Sequence, residues 1–69
     1  MTGMRLVVAL RHHRNAAGLT QAELADAIGT SRKTINTIEN GVFVPSTVLA
    51  LRLARYLGVS VHDLFALPD

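Results

Sequence analysis

Four hydroxyl side chains set ahead of apolar stretches, with glycines set behind them, constrain this chain more than any other feature. Thr20, Ser31, Ser46 and Ser60 stand where a helix N-cap belongs, and Gly18, Gly29, Gly41 and Gly58 stand where helices stop. An N-cap hydroxyl accepts from a backbone N–H that the first helical turn leaves unpaired, and glycine takes the left-handed conformation that closes the last turn. This punctuation divides the 69 residues into short helical segments. The first runs from about Met4 to Ala17, with Leu6, Leu10 and Ala17 at helical spacing. Thr20-Gln21-Ala22-Glu23 opens the second as a capping box, with Leu24, Ala25 and Ile28 on one face. Ser31 opens the third, whose apolar pair is Ile35 and Ile38, and Asn40-Gly41 ends it. Val42-Phe43-Val44-Pro45 reads as a loop, because proline disfavours helix at the residue before it. Ser46 opens the fourth, with Ala50, Leu51, Leu53, Ala54 and Leu57 as a broad apolar face. Ser60-Val61-His62-Asp63 starts the last turn or two, pinned by Val61, Leu64 and Phe65. Nothing reads as a strand, since Val42-Phe43-Val44 is short and closed by proline. The expectation is an all-α, compact five-helix bundle, with residues 1–69 forming a single domain.

Composition agrees with helix-on-helix packing. Hydrophobic residues make up 49% of the chain and aromatics only 4%, so the core must be built from Leu, Ile, Val and Ala. So small a chain has only a few kcal/mol of stability to spare, and regular packing or a partner chain has to supply it. No apolar run approaches the roughly 20 residues of a membrane span. The start, Met1-Thr2-Gly3-Met4-Arg5, lacks a signal-peptide layout, so no membrane association and a cytoplasmic location are expected. The absence of cysteine excludes a disulfide scaffold and a thiolate metal site. His12 and His13 would point about 100° apart on a helix and cannot chelate one ion together, and His62-Asp63 meets the same obstacle. No Ser, His and acid cluster suggests a nucleophile with its base, and no glycine-rich phosphate loop occurs. The chain is therefore expected to be no enzyme and to need no cofactor or metal.

The informative unit is the pair of segments within about residues 20–41. Two short hydroxyl-capped helices joined by Gly29-Thr30 hold the second across the first, with one of its faces projecting. If Ile35 and Ile38 point inward, then Lys33, Thr37 and Asn40 lie opposite, flanked by Thr34 and Asn36, with the cations Arg32 and Lys33 first. A major-groove reader needs such a face: Arg or Lys donates to guanine O6 and N7, Asn pairs with adenine, and the Thr methyl touches thymine. Taken alone, a polar face like this is more often a solvated helix surface. Net charge is +2, which by itself says little about partners.

The surrounding pattern resembles a known family. Gly18-Leu19-Thr20-Gln21-Ala22-Glu23-Leu24-Ala25, Ile28-Gly29, Ser31-Arg32, Ile35 and Ile38-Glu39-Asn40-Gly41 are similar to the Cro/repressor-type (XRE family) helix-turn-helix. Pro45-Ser46, Ala50-Leu51, Leu53-Ala54, Leu57-Gly58-Val59-Ser60 and Asp63-Leu64-Phe65 match its fourth and fifth helices, so the likeness covers roughly Leu10 to Phe65. The resemblance implies a lambda-repressor-like DNA-binding domain that acts as a homodimer on double-stranded DNA carrying a palindromic operator. Position by position, Arg32, Lys33, Thr34 and Thr37 match the places that read base edges, with a backbone contact as the alternative for Thr34. Gln21 matches a glutamine that contacts a phosphate and braces the recognition helix, and Asn36 joins it as a backbone-positioning residue. Asn40 matches a position near the phosphates, though Asn before Gly is equally an ordinary helix ending. Glu39 is expected to make structural contacts, because a carboxylate repels phosphate. Arg14 pairs with Glu39 or reaches the DNA backbone, the ion pair being preferred. Arg11 is expected at the solvent, with a phosphate contact as its alternative.

Two residues depart from the family pattern. His13 stands where a core leucine is usual and would be a buried, satisfied histidine. Thr47 replaces a leucine in the opening turn of the fourth helix, which suggests a slightly weakened core. Val42, Phe43, Val44 and Val48 are more apolar than an exposed loop and helix start require, so they pack internally or form part of a dimer contact. The main expectation is a sequence-specific DNA-binding transcriptional regulator, a homodimeric repressor or autoregulator. The alternative is a protein-interaction module whose principal partner is a second protein chain of toxin type. No sensor domain is expected, so regulation would come through concentration, dimerisation or a partner.

Overall fold

The structure is a computed structural model and describes residues 6–68. Each hydroxyl N-cap forms as its local sequence requires. Thr20 caps α2 (Gln21–Ile28) in a full capping box: its Oγ1 accepts from the Glu23 N–H at 3.0 Å, and the Glu23 carboxylate accepts from the Thr20 N–H at 2.8 Å. Ser31 caps α3 (Arg32–Glu39), its Oγ accepting from the Thr34 N–H at 3.1 Å. Ser46 caps α4 (Thr47–Leu57) through the Leu49 N–H, and Ser60 forms a second capping box with Asp63 at the start of α5 (Val61–Leu64). Gly29 and Gly58 close α2 and α4 at φ +77° and +71°, a left-handed conformation that L-residues with a Cβ adopt only under strain.

The N-terminal segment departs from expectation. The first helix, α1, spans Leu10–Ala16 rather than beginning near Met4, and it starts without a side-chain cap. Met4 itself lies outside the described residues. Ahead of α1, β1 (Val7–Val8) pairs antiparallel with β2 (Phe65–Ala66), aligning Val7 with Ala66 and Val8 with Phe65. The Ala9 N–H extends this ladder by donating to the Leu64 carbonyl at 2.8 Å. Among the described residues the fold is five helices, as expected, plus a two-stranded sheet, which corrects the pure all-α expectation. The physical reason is distance along the chain: two-residue strands carry no alternating pattern, and each finds its partner at the far end of the sequence.

The core lies where the five helices meet. Leu10, Leu24, Ile35, Ile38, Leu53 and Leu64 are fully buried, and Ala25, Ile28, Ala54 and Phe65 complete the cluster. Each large side chain removed from water contributes about 1.5–3 kcal/mol. Ile35 and Ile38 thus face inward as their spacing requires, and they fix which side of α3 remains outside. Leu51 does not join this core: it is exposed, whereas Ala50 and Leu57 pack partly against it. Thr47 is exposed as well, so it opens no gap in the core. His13 is half-buried with its ring edge-on to His12 at a centroid distance of 5.2 Å, and it does not enter the core.

Candidate nucleic-acid interface

α2 and α3 pack closely, and the sharp turn at Gly29-Thr30 sets α3 across α2. With Ile35 and Ile38 buried, the opposite side of α3 presents its side chains outward. Arg32 and Lys33 are exposed and make no side-chain hydrogen bond among the described residues. Both cations are therefore free to meet an external acceptor. Thr34 and Thr37 sit half-buried beside them. The Thr34 hydroxyl shares a hydrogen with Ser31 Oγ at 2.8 Å. The Thr37 hydroxyl donates back to the carbonyls of Lys33 and Thr34, at 3.1 and 2.9 Å, so its methyl group and remaining lone pairs are what it can offer. Asn40 Nδ2 donates to Asn36 Oδ1 one turn earlier, which joins the two amides along the same edge.

Glu39 holds this surface to the rest of the molecule. Its side chain is fully buried at the end of α3 and gathers donors from three places. Arg14 of α1 binds it through two nitrogens, Nε to Oε2 at 2.6 Å and Nη2 to Oε1 at 3.1 Å. Arg11 donates Nε to Oε1 at 3.2 Å, and Gln21 of α2 donates Nε2 to the same oxygen at 3.0 Å. Arg14 also donates to the Leu19 carbonyl at 2.8 Å and to Asn15 Oδ1 at 3.1 Å, so its buried guanidinium is well supplied with acceptors. Burial pushes the Glu39 carboxyl upward, but the hydrogen bonds from Arg14, Gln21 and Arg11 outweigh it and hold the group below its ordinary range. The hydrogen bond to Glu39 raises Arg14 in turn, against the opposing effect of burial. The preferred Arg14–Glu39 ion pair is present, and Glu39 makes structural contacts. Gln21 braces α3 with one amide N–H, and its second has no partner among the described residues.

Arg11 is the residue whose role the sequence concealed. It is exposed as expected, yet its Nη2 donates to Asn40 Oδ1 at 3.0 Å while its Nε holds Glu39. A signal was present: Arg11 and Arg14 are three apart and share a helix face. That this face meets the end of α3 is tertiary information.

Among the described residues, no group of three or more His, Asp or Glu is placed to hold a metal ion, and no helix is long and apolar enough to cross a membrane. An open groove beside α4 and α5 is lined mainly by apolar side chains, including Val44, Leu51 and Val61.

Residues 5–67 match the model of a helix-turn-helix domain family. The chain belongs to that family. An HTH-type transcriptional regulator of Methanothermobacter thermautotrophicus is 46% identical over 61 residues, which cover 87% of this chain and 88% of that protein. Among solved structures, a restriction-modification controller protein from Aeromonas hydrophila superposes with a TM-score of 0.75 at 38% identity, covering 81% of each chain. The biofilm master regulator SinR, solved in complex with DNA, superposes with a TM-score of 0.71 at 28% identity, covering 77% of this chain and 86% of that one. The helix-turn-helix chain described here is thus a DNA-binding transcriptional regulator of the XRE type, a non-enzymatic class.

Proposed function

We propose that this chain binds DNA sequence-specifically as a homodimeric repressor or autoregulator, with α3 entering the major groove. The observation that carries the reading is the pair Arg32 and Lys33, exposed and unengaged at the start of a helix whose opposite side is anchored by Ile35 and Ile38. A recognition helix approaches base edges with its N-terminal residues, and cationic donors there suit guanine O6 and N7. In this reading Arg32, Lys33, Thr34 and Thr37 read bases, while Gln21, Asn36 and Asn40 position the DNA backbone. The whole chain serves as one helix-turn-helix domain working in the cytoplasm.

A single short helix gives limited affinity, and a dimer on a palindromic operator, with half-sites about 34 Å apart, multiplies it. Val42, Val44, Val48 and Leu51 support a contact between chains, being 54–77% exposed although apolar. The same residues favour the second reading, in which a toxin-type partner chain covers them and the pair represses its own genes. The test is a gel shift against duplex DNA selected from a random pool, repeated across a salt series. Retarded complexes whose affinity falls steeply with salt are expected. Absence of any shift at low salt, from protein shown to be folded, would refute DNA binding. Sedimentation of the free chain reports the dimer, and co-purification of a second small protein would favour the toxin partner.

A further inference from the structure

The amides of Asn36 and Asn40 have a polarity that chemistry alone assigns. A guanidinium carries donors and no acceptor, so the atom Asn40 turns to Arg11 Nη2, 3.0 Å away, must be its oxygen. The Asn40 nitrogen is then the atom that faces Asn36, and Asn36 must answer with its own oxygen. The relay runs one way, from Arg11 to Asn40 to Asn36. It ends with the Asn36 oxygen turned along the helix and its NH2 group left over. That nitrogen has no partner among the described residues, and no polar side-chain atom among them is both buried and unpartnered, so it reaches solvent. Glu39 fixes the start of the relay by holding Arg11 Nε at 3.2 Å, which aims the other arm of the fork at Asn40.

We propose that Arg11, on α1, is a positioning residue for DNA recognition: through Asn40 it locks Asn36 with its NH2 outward. Asn36 then takes a hydrogen-bond acceptor of DNA, either a phosphate oxygen or the acceptor edge of a base. With Arg32 and Lys33 alongside, the Asn36 NH2 adds a third outward donor to this part of α3. The inference rests on the DNA-binding reading above.

The test uses the full chain and the duplex that the wild type selects from a random pool, with binding followed by fluorescence anisotropy. Arg11→Met removes the donor and frees the relay, Asn36→Ala removes its end, and the double variant does both. Each single variant is expected to bind about fivefold more weakly, the worth of one net hydrogen bond. The double variant is expected to lose about fivefold in total rather than the product of about 25-fold, because both changes break the same element. Arg11→Lys, which keeps a donor toward Asn40, is expected to stay within about twofold of wild type. The slope of log affinity against log salt should not change for Arg11→Met, whereas loss of a direct phosphate contact would reduce it by about one.

Equal weakening of Asn36→Ala on the selected and an unrelated duplex identifies a phosphate as the acceptor. Loss confined to the selected duplex identifies a base edge. Multiplicative losses, a reduced salt slope, or unaltered binding in either single variant would overturn the proposal. Thermal melts of each variant establish that it is folded. If folded wild-type protein selects no duplex at all, the DNA-binding reading fails and takes this inference with it.

Discussion

Removing the Glu39 side chain should be among the most damaging single changes this fold can suffer. Glu39→Ala deletes a fully buried carboxylate and leaves the Arg14 guanidinium, only 11% exposed, without a counter-charge. The Leu19 carbonyl and Asn15 Oδ1 would still accept from Arg14, so the loss is of charge compensation more than of every hydrogen bond. Breaking a buried ion pair on one side typically costs about 3–5 kcal/mol. For a domain of this size each kcal/mol moves the melting temperature by about 4–8 °C, so a drop of at least about 12 °C is expected. Arg14→Leu/Glu39→Leu removes both charges and fills the space with hydrocarbon, and should be less destabilised than either single variant. Urea unfolding of the wild type, Arg14→Leu, Glu39→Leu and the double, followed by circular dichroism at 15 °C, gives the coupling directly. A cost for Glu39→Ala below about 1 kcal/mol, or additive losses in the double, would refute the idea that this pair clamps α3 to α1.

Lys33→Ala should relax base discrimination in duplex selection, while Gln21→Ala should weaken binding to all sequences alike; the opposite pattern would exchange their assigned roles. Glu39 and Asp63 both have folded pKa values below their ordinary ones, Asp63 chiefly through the Ser60 backbone N–H. The unfolded chain then takes up protons first on acidification, so the stability they contribute is present above about pH 4.5 and is lost as pH falls through the lowered values. The urea midpoint should decline from pH 6 to pH 3, and a midpoint that rises over that range contradicts the assignment. Gly29→Ala places a Cβ where no atom lies within 4 Å, so its cost is the left-handed backbone at φ +77° alone. Set against the stiffer unfolded chain, that is about 1 kcal/mol net, read as a melting point lower by about 4–8 °C.

Local features were legible because their physics is local. An N-cap hydroxyl and the amide it accepts from lie within three residues of each other, so Thr20, Ser31, Ser46 and Ser60 announce their helices without reference to the rest of the fold. The inward Ile35 and Ile38 follow from spacing in the same way. The pairing of β1 with β2 has no such signature. Val7 and Val8 belong to an apolar stretch that fits a helix equally well, and only the return of Phe65 and Ala66 to the start of the chain makes them a strand. Leu51 departs from its spacing for a related reason: it belongs to the apolar side of α4, but in the single chain it stays more than half exposed.

The recognition surface divides along the same line. Which residues of α3 face outward follows from its own sequence. What each amide offers, donor or acceptor, does not, because Asn can present either end. The choice is made by the first neighbour that has only one kind of group. Arg14 and Gln21 donate to Glu39, Arg11 donates to Glu39 and Asn40, and the polarity is carried outward to Asn36. The buried carboxylate therefore does two things at once. It fixes the position of α3 against α1 and α2, and it orients the exposed arginine whose other arm reaches Asn40. If α3 reads DNA as proposed, stability and specificity are coupled through one side chain, and duplex selection from a random pool by a folded Glu39 variant should return a different preferred sequence from the wild type's; an unchanged preference would refute the coupling.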